Sequence, residues 1–308
     1  MANLTNIFKP EAGTRPSLAC EIRPEGVVAA RASAGKGGGE VVMAYAPLTE
    51  GALTPGLKVP NLTNAGAART ALESALRDVN ARTKALTVVV PDAAARVLLL
   101  DFDSLPAKHQ EALSVVRFRL RKMVPFDVET AAVSYQPMGQ SGDPLNVLVT
   151  VMPADVLAEY ENLVREAGYE PGAVLPSTLA VAAGIATGGA TLMVNRAGGS
   201  VTTAVTQGNE MLLHRSMDLP ADPAAREEEM AQAVITALAW YEDTLRSVPA
   251  DLYYVGAGGA AAAMQSRWIG WVDPAPRVAD FAAPQDATAL TAIPAGMTAA
   301  VMGALATP

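Results

Sequence analysis

The sequence predicts an α/β protein of two lobes, each a mixed sheet flanked by helices. Three observations carry this reading. With 308 residues, half of them apolar, the chain is long enough to bury two substantial cores. A strand meander, then helices, then a further strand occurs in each half of the chain. No regular repeat of about 20 to 50 residues is visible, so the doubling is on the scale of a lobe rather than a solenoid unit.

Short β-type runs at 17–22, 27–32 and 41–46, separated by turn residues, predict an opening antiparallel meander, with a loose turn at 35–39. Ala68, Leu72, Ala75, Leu76 and Val79 recur at helical spacing, and 86–90 reads as a buried strand. A second block follows, with a strand at 97–102 and a helix at 106–123. That helix places Leu113, Val116, Leu120 and Met123 on one face and Arg117, Arg119, Arg121 and Lys122 on the other. Pro125 ends it, because the residue before a proline is pushed out of the α region. Strands at 132–136 and 146–151 flank a polar turn at 140–144. A helix at 154–167 buries Val156, Tyr160, Leu163 and Val164 and is capped by Gly168.

A short helix at 178–186 leads into the stretch 191–216, three apolar β runs joined at Gly198-Gly199 and Gly208-Asn209. Turn glycines permit positive φ and close approach of a ligand, so this meander has the form of a phosphate cradle. The longest helical pattern, 226–246, opens on Glu227, Glu228 and Glu229, which suit the positive helix end. A strand at 252–255 enters Gly256, Gly258 and Gly259, a helix starts at 260–264, and 294–305 is a helix of small residues.

Composition excludes several classes. A net charge of −8 argues against a sequence-independent hold on nucleic acid. One cysteine and two histidines exclude a disulfide framework and a Cys/His zinc cluster, and fit a reducing cytoplasm. Cys20 reads as a buried small hydrophobe. The N-terminal residues show no secretory pattern, and no run of about 18 apolar residues occurs, so any membrane link is expected through a partner. His109 and His214 have no acid partner in sequence. Asp101 and Asp103 read as capping residues on one strand face, and Ser177, Ser200 and Ser216 lack a nucleophile context.

Four strings carry a resemblance: 117–136 (RFRLRKMVPFDVETAAVSYQ), 146–168, 191–216 and 251–259, with ALAWYED at 237–243. Together they resemble the type IV pilus assembly PilM family, within the actin-like, Hsp70-like superfamily, over about residues 17–305. The resemblance implies an actin-like, RNase H-like fold. Residues 1–187 would form a first lobe with an inserted subdomain at about 95–137. Residues 188–308 would form a second lobe with a reduced lid and a C-terminal helix packing back toward the first.

The resemblance also implies two phosphate loops and an adenosine-side glycine turn, at Glu21, Asn195, Gly198, Gly199, Gly256, Gly258 and Gly259. This chain departs from the family there. Glu21-Ile22-Arg23-Pro24 stands for Asp-Ile-Gly, Val28 for the following Lys, and Asn195-Arg196-Ala197 for the second Asp-Ile-Gly. Bulk is added, a backbone N–H is removed and a magnesium-organising acid becomes an amide. The expectation is a degenerate site, with no cofactor and with ATP and magnesium disfavoured. The implied function is a non-enzymatic cytoplasmic scaffold at the inner membrane, binding the N-terminal tail of a PilN-like partner through Arg117, Arg121, Val124, Pro125 and Phe126. Contact with the pilus motor ATPase and self-association stay open, as do an ATPase or phosphotransferase activity and a type II secretion setting.

Overall fold

The structure, a computed structural model, describes residues 16–33, 40–138, 144–185, 189–249, 251–256, 277–280, 287–294 and 296–306. Strand β1 (Leu18–Arg23) is buried at every residue because it runs between two neighbours. It pairs antiparallel with β2 (Gly26–Ala32), which pairs antiparallel with β3 (Val41–Pro47), and after α1 (Ala65–Asp78) the chain returns as β4 (Ala85–Val90), parallel to β1. Strand alternation then sorts β1 onto two faces. Leu18, Cys20 and Ile22 enter the core beneath α1, while Ala19 joins the core between the lobes, which leaves Glu21 and Arg23 on that second face.

An excursion follows. Strands β5 (Arg96–Phe102), β6 (Ala132–Pro137) and β7 (Leu145–Met152) make a separate antiparallel sheet of order β5-β7-β6, with helix α2 (His109–Leu120) between β5 and β6. This sheet extends to Met152, beyond the 95–137 expected for the insert, because β7 is the strand to which β5 and β6 both pair. Val116 and Leu120 of α2 cover one face with Val147, Val149 and Val151. On the other face Val97, Met138 and Leu148 join the core between the lobes.

After α3 (Ala154–Glu166), β8 (Glu170–Pro176) adds to β4 and closes the edge of the first sheet. Helix α4 (Ser177–Gly184) passes to β9 (Ala190–Ala197), β10 (Ser200–Gln207) and β11 (Glu210–Asp218). Residues 219–222 alone link β11 to α5 (Pro223–Leu245), which begins earlier than its apolar stripe because Asp222 accepts from Ala225 N at 2.9 Å and Pro223 occupies the first turn. Strands β12 (Asp251–Gly256) and β13 (Arg277–Asp280) complete a second sheet, β14 (Ala287–Ala289) joins the first beside β3, and α6 (Ala299–Leu305) follows.

The two large sheets have one topology. Their orders, β3-β2-β1-β4-β8 and β11-β10-β9-β12-β13, each set an antiparallel meander beside parallel strands. Helices α4 and α6 lie between them, with Leu179, Ala180, Ala300 and Ala304 packed against Met193 and Val255. A Cβ on Gly303 would fall 1.8 Å from the Ala180 carbonyl oxygen, so this crossing requires glycine. Strand β8 was not expected. The turn at 35–39, most of the turn at 140–144, the helix start at 260–264 and Gly258 and Gly259 lie outside the described residues.

Candidate functional site

Two hairpin turns meet where the lobes face each other. Arg23 and Gly26 close the β1–β2 turn, and Ala197 and Ser200 close the β9–β10 turn. Gly26 is required because a Cβ there would lie 2.4 Å from the Tyr45 ring. Arg23 is fully buried, and its guanidinium donates to Glu21 Oε1 at 3.1 Å, to Glu25 Oε2 at 3.5 Å and to the Arg196 carbonyl oxygen. Glu25 Oε1 in turn accepts from Gly198 N at 2.8 Å. Glu21 and Glu25 thus share one guanidinium. Burial works against the Arg23 charge, but the two carboxylates outweigh it and hold its pKa above the ordinary range. Burial pushes the Glu21 carboxyl up, opposed by Arg23 and Ser177.

The turns offer few free backbone donors. Pro24 has no N–H to offer, the Gly198 N–H is already held by a carboxylate, and the guanidinium of Arg23 reaches across to the Arg196 carbonyl oxygen, while a cavity of about 390 Å³ lined by Pro24, Pro55, Ala197, Gly199 and Ser200 lies beside the turns. Gly256 is likewise a packing residue: its φ is 146°, and a Cβ would lie 2.5 Å from the Arg196 carbonyl oxygen. Gly199 has open space around it.

Behind the turns lies a buried polar network that the sequence did not disclose. Asp92, in a single 3₁₀ turn after β4, accepts from Thr178 N at 3.0 Å and Thr178 Oγ1 at 2.5 Å, so it caps the start of α4. Asn195 Nδ2 donates to Asp92 Oδ2 at 3.2 Å and to Ser177 Oγ and Thr178 Oγ1, each at 3.0 Å. Ser177 Oγ donates to Glu21 Oε1 at 2.7 Å. Glu21 and Asn195, from the two lobes, therefore share Ser177 as a partner. His214 faces Asp92 from β11, and burial holds its imidazole below the ordinary range. The helix that Asp92 caps begins at the far end of an 86-residue separation, so no local signal in the sequence marks this role.

A second feature is a groove of about 270 Å³ between the first and third sheets. Ala132, Val133 and Ser134 of β6 line it on one side, Gly172, Ala173 and Val174 of β8 on the other, with Met152, Leu157 and Glu161 between. Both β6 and β8 are edge strands of their sheets. Thr150, also in the lining, has a buried hydroxyl oxygen without a hydrogen-bond partner.

None of Arg117, Arg121, Val124, Pro125 and Phe126 lines this groove. Arg117 turns inward and donates to the carbonyl oxygens of Val128 and Ala131, the latter at 3.0 Å. Arg121 pairs with Glu129 at 2.7 Å on the surface. Val124 and Phe126 pack against the core of the third sheet, and Pro125 is exposed. The expected helix faces are corrected at two places: Met123 is exposed, and Arg117 is a brace between α2 and the segment that returns to β6.

A chain of the PilM-PilN type IV pilus biogenesis complex superposes with a TM-score of 0.77, covering 95% of this chain and 98% of its own. This chain has a PilM-like, actin-like fold. Identity over that match is 16%. The cytoplasmic domain of EpsL, an inner membrane component of the type II secretion system of Vibrio cholerae, aligns over 94% of this chain and 92% of its own, with 14% identity and a TM-score of 0.51. No family model matches the chain, and no curated protein matches it significantly. Among the described residues no helix is long and apolar enough to cross a membrane.

Proposed function

We propose that this PilM-like chain is a non-enzymatic scaffold of a type IV pilus inner-membrane platform, and that it holds an extended N-terminal peptide of a PilN-like membrane partner. In this reading residues 1–187 and 188–308 act as the two lobes, the protein works in the cytoplasm, and the peptide lies in the groove between β6 and β8. The groove is the observation that carries the proposal. Two edge strands contribute backbone to one apolar channel, and an added strand could pair with either. The missing N–H at Pro24 and the carboxylate that holds the Gly198 N–H support the non-enzymatic part. Self-association and contact with the pilus motor ATPase are further expectations of the same reading, open to sedimentation and pull-down.

The test is fluorescence anisotropy with a labelled N-terminal peptide of the PilN-like partner. Saturable binding is expected, and Ala132→Trp or Ser134→Trp should weaken it at least about ten-fold by filling the groove, while Arg121→Glu should leave it unchanged. Absence of saturable binding, or equal binding by the groove variants, would overturn the reading. The likeness to the EpsL cytoplasmic domain keeps a type II secretion platform as the second setting, and the peptide of the matching membrane partner separates the two.

A further inference from the structure

Helix α2 carries a feature that neither the groove nor the hairpin turns use. With Val116 and Leu120 holding its inner face, the outward direction falls on Phe118, which is 71% exposed. Val115, one turn earlier, is 38% exposed, and Met123 beyond the helix end is 45% exposed. These make up three of the five large hydrophobic side chains exposed among the described residues.

The surrounding charge is mostly basic, with Glu129 paired to Arg121 at its edge. Residues 108–122 contain five basic side chains and one acidic one, in a chain whose net charge is −8. Glu111, the acidic one, is paired with Lys108 at 3.0 Å. Arg121 stacks over the Phe118 ring, 5.6 Å from its centre. Arg119 and Lys122 are exposed, with no hydrogen-bond or ion-pair partner among the described residues. An exposed aromatic ring beside two unpaired cations, Arg119 and Lys122, and under Arg121, which pairs with Glu129, matches the chemistry of an anionic bilayer surface, where the ring enters the headgroup boundary and the free cations meet phosphates. We propose that the outer face of α2 is a peripheral docking surface for an anionic lipid bilayer. The inference does not depend on the peptide groove, which lies at β6 and β8.

The test is sedimentation of the full chain, without peptide, on vesicles of phosphatidylcholine alone and of phosphatidylcholine with equimolar phosphatidylglycerol. Binding is expected to the mixed vesicles only, and to fall as salt is raised from about 0.15 M to about 1 M. Each cation near such a surface is worth about five-fold in partitioning, so Lys122→Gln should lose about five-fold and Arg119→Gln with Lys122→Gln about 25-fold. Phe118→Ser should lose about ten-fold and keep its salt dependence. Arg77→Gln, the same charge change on the exposed side of α1, should have no effect. Circular dichroism of each variant should match the parent, since all these side chains are solvent-facing. The proposal fails if both vesicle types bind equally or neither binds. It also fails if Arg77→Gln matches Lys122→Gln, or if the α2 variants change self-association and not vesicle binding, which would assign the face to a second copy of the chain.

Discussion

A Cβ added to Gly198 would stand 2.8 Å from Pro24 Cγ, so the tip of one lobe's hairpin rests against the tip of the other's. Gly198 also has φ of 55°, a conformation that L side chains rarely adopt. Gly198→Ala is therefore expected to cost about 1–3 kcal/mol in urea unfolding, from backbone strain and displacement of Pro24. Gly199→Ala, with open space around it, should cost less than about 1 kcal/mol.

Arg23 stands between two carboxylates. Arg23→Met would leave Glu21 buried without its cation, a change expected to cost about 3–5 kcal/mol. Glu21 would then take up a proton more readily, and a carboxyl whose folded pKa is raised stabilises the fold below its unfolded pKa. The variant should therefore regain stability as pH falls toward about 4, and adding Glu21→Gln should flatten that slope.

Because Arg23, Pro24 and Glu25 occupy the turn, calorimetric titration with Mg-ATP is expected to give no saturable heat. Saturable binding lost on Asn195→Ala would contradict the packing-residue account of that turn.

Cys20 is fully buried on the α1 face of β1, and burial, aided by Glu21, raises its thiol far above the ordinary range. The folded protein should resist thiol reagents until it unfolds. Above about pH 8.5 the unfolded thiol ionises and the folded one does not, so stability should fall with rising pH by about 1.4 kcal/mol per unit. Cys20→Ala should remove that part of the slope between about pH 8.5 and 10.

Arg117 and Arg121 sit one helical turn apart and should behave differently. Arg117→Ala leaves the Val128 and Ala131 carbonyls short of a charged donor, which should cost about 1.5–3 kcal/mol and speed hydrogen exchange in 124–131. Arg121→Ala removes only an exposed pair with Glu129 and should cost about 0–1 kcal/mol.

Much of the frame was legible because it rests on local signals. The β1–β3 and β9–β11 meanders follow from alternation and turn residues, and α3 and α5 from helical spacing. Strand β8 was not legible: Pro171 and Gly172 argue against a strand, and they are tolerated because β8 is an edge and its register with β4 slips at Leu86/Thr87. The glycines of the β9–β10 turn were visible, but the contact of Pro24 with Gly198 arises only when two lobes meet. The same holds for Asp92, Ser177 and Asn195, which lie far apart in sequence and share one network. Charge on α2 could be read as a stripe, yet the inward turn of Arg117 depends on where the chain goes after Pro125.

Strand β14 and helix α6 also set an order of events during synthesis. Met297 and Val301 cover Val28, Ala30 and Met43, and β14 pairs with β3. A nascent chain that has emerged only through β13 therefore leaves that patch of the first sheet wet. Completion of the earlier-made sheet waits for β14 and α6, which makes release of the chain before those segments emerge a route to aggregation.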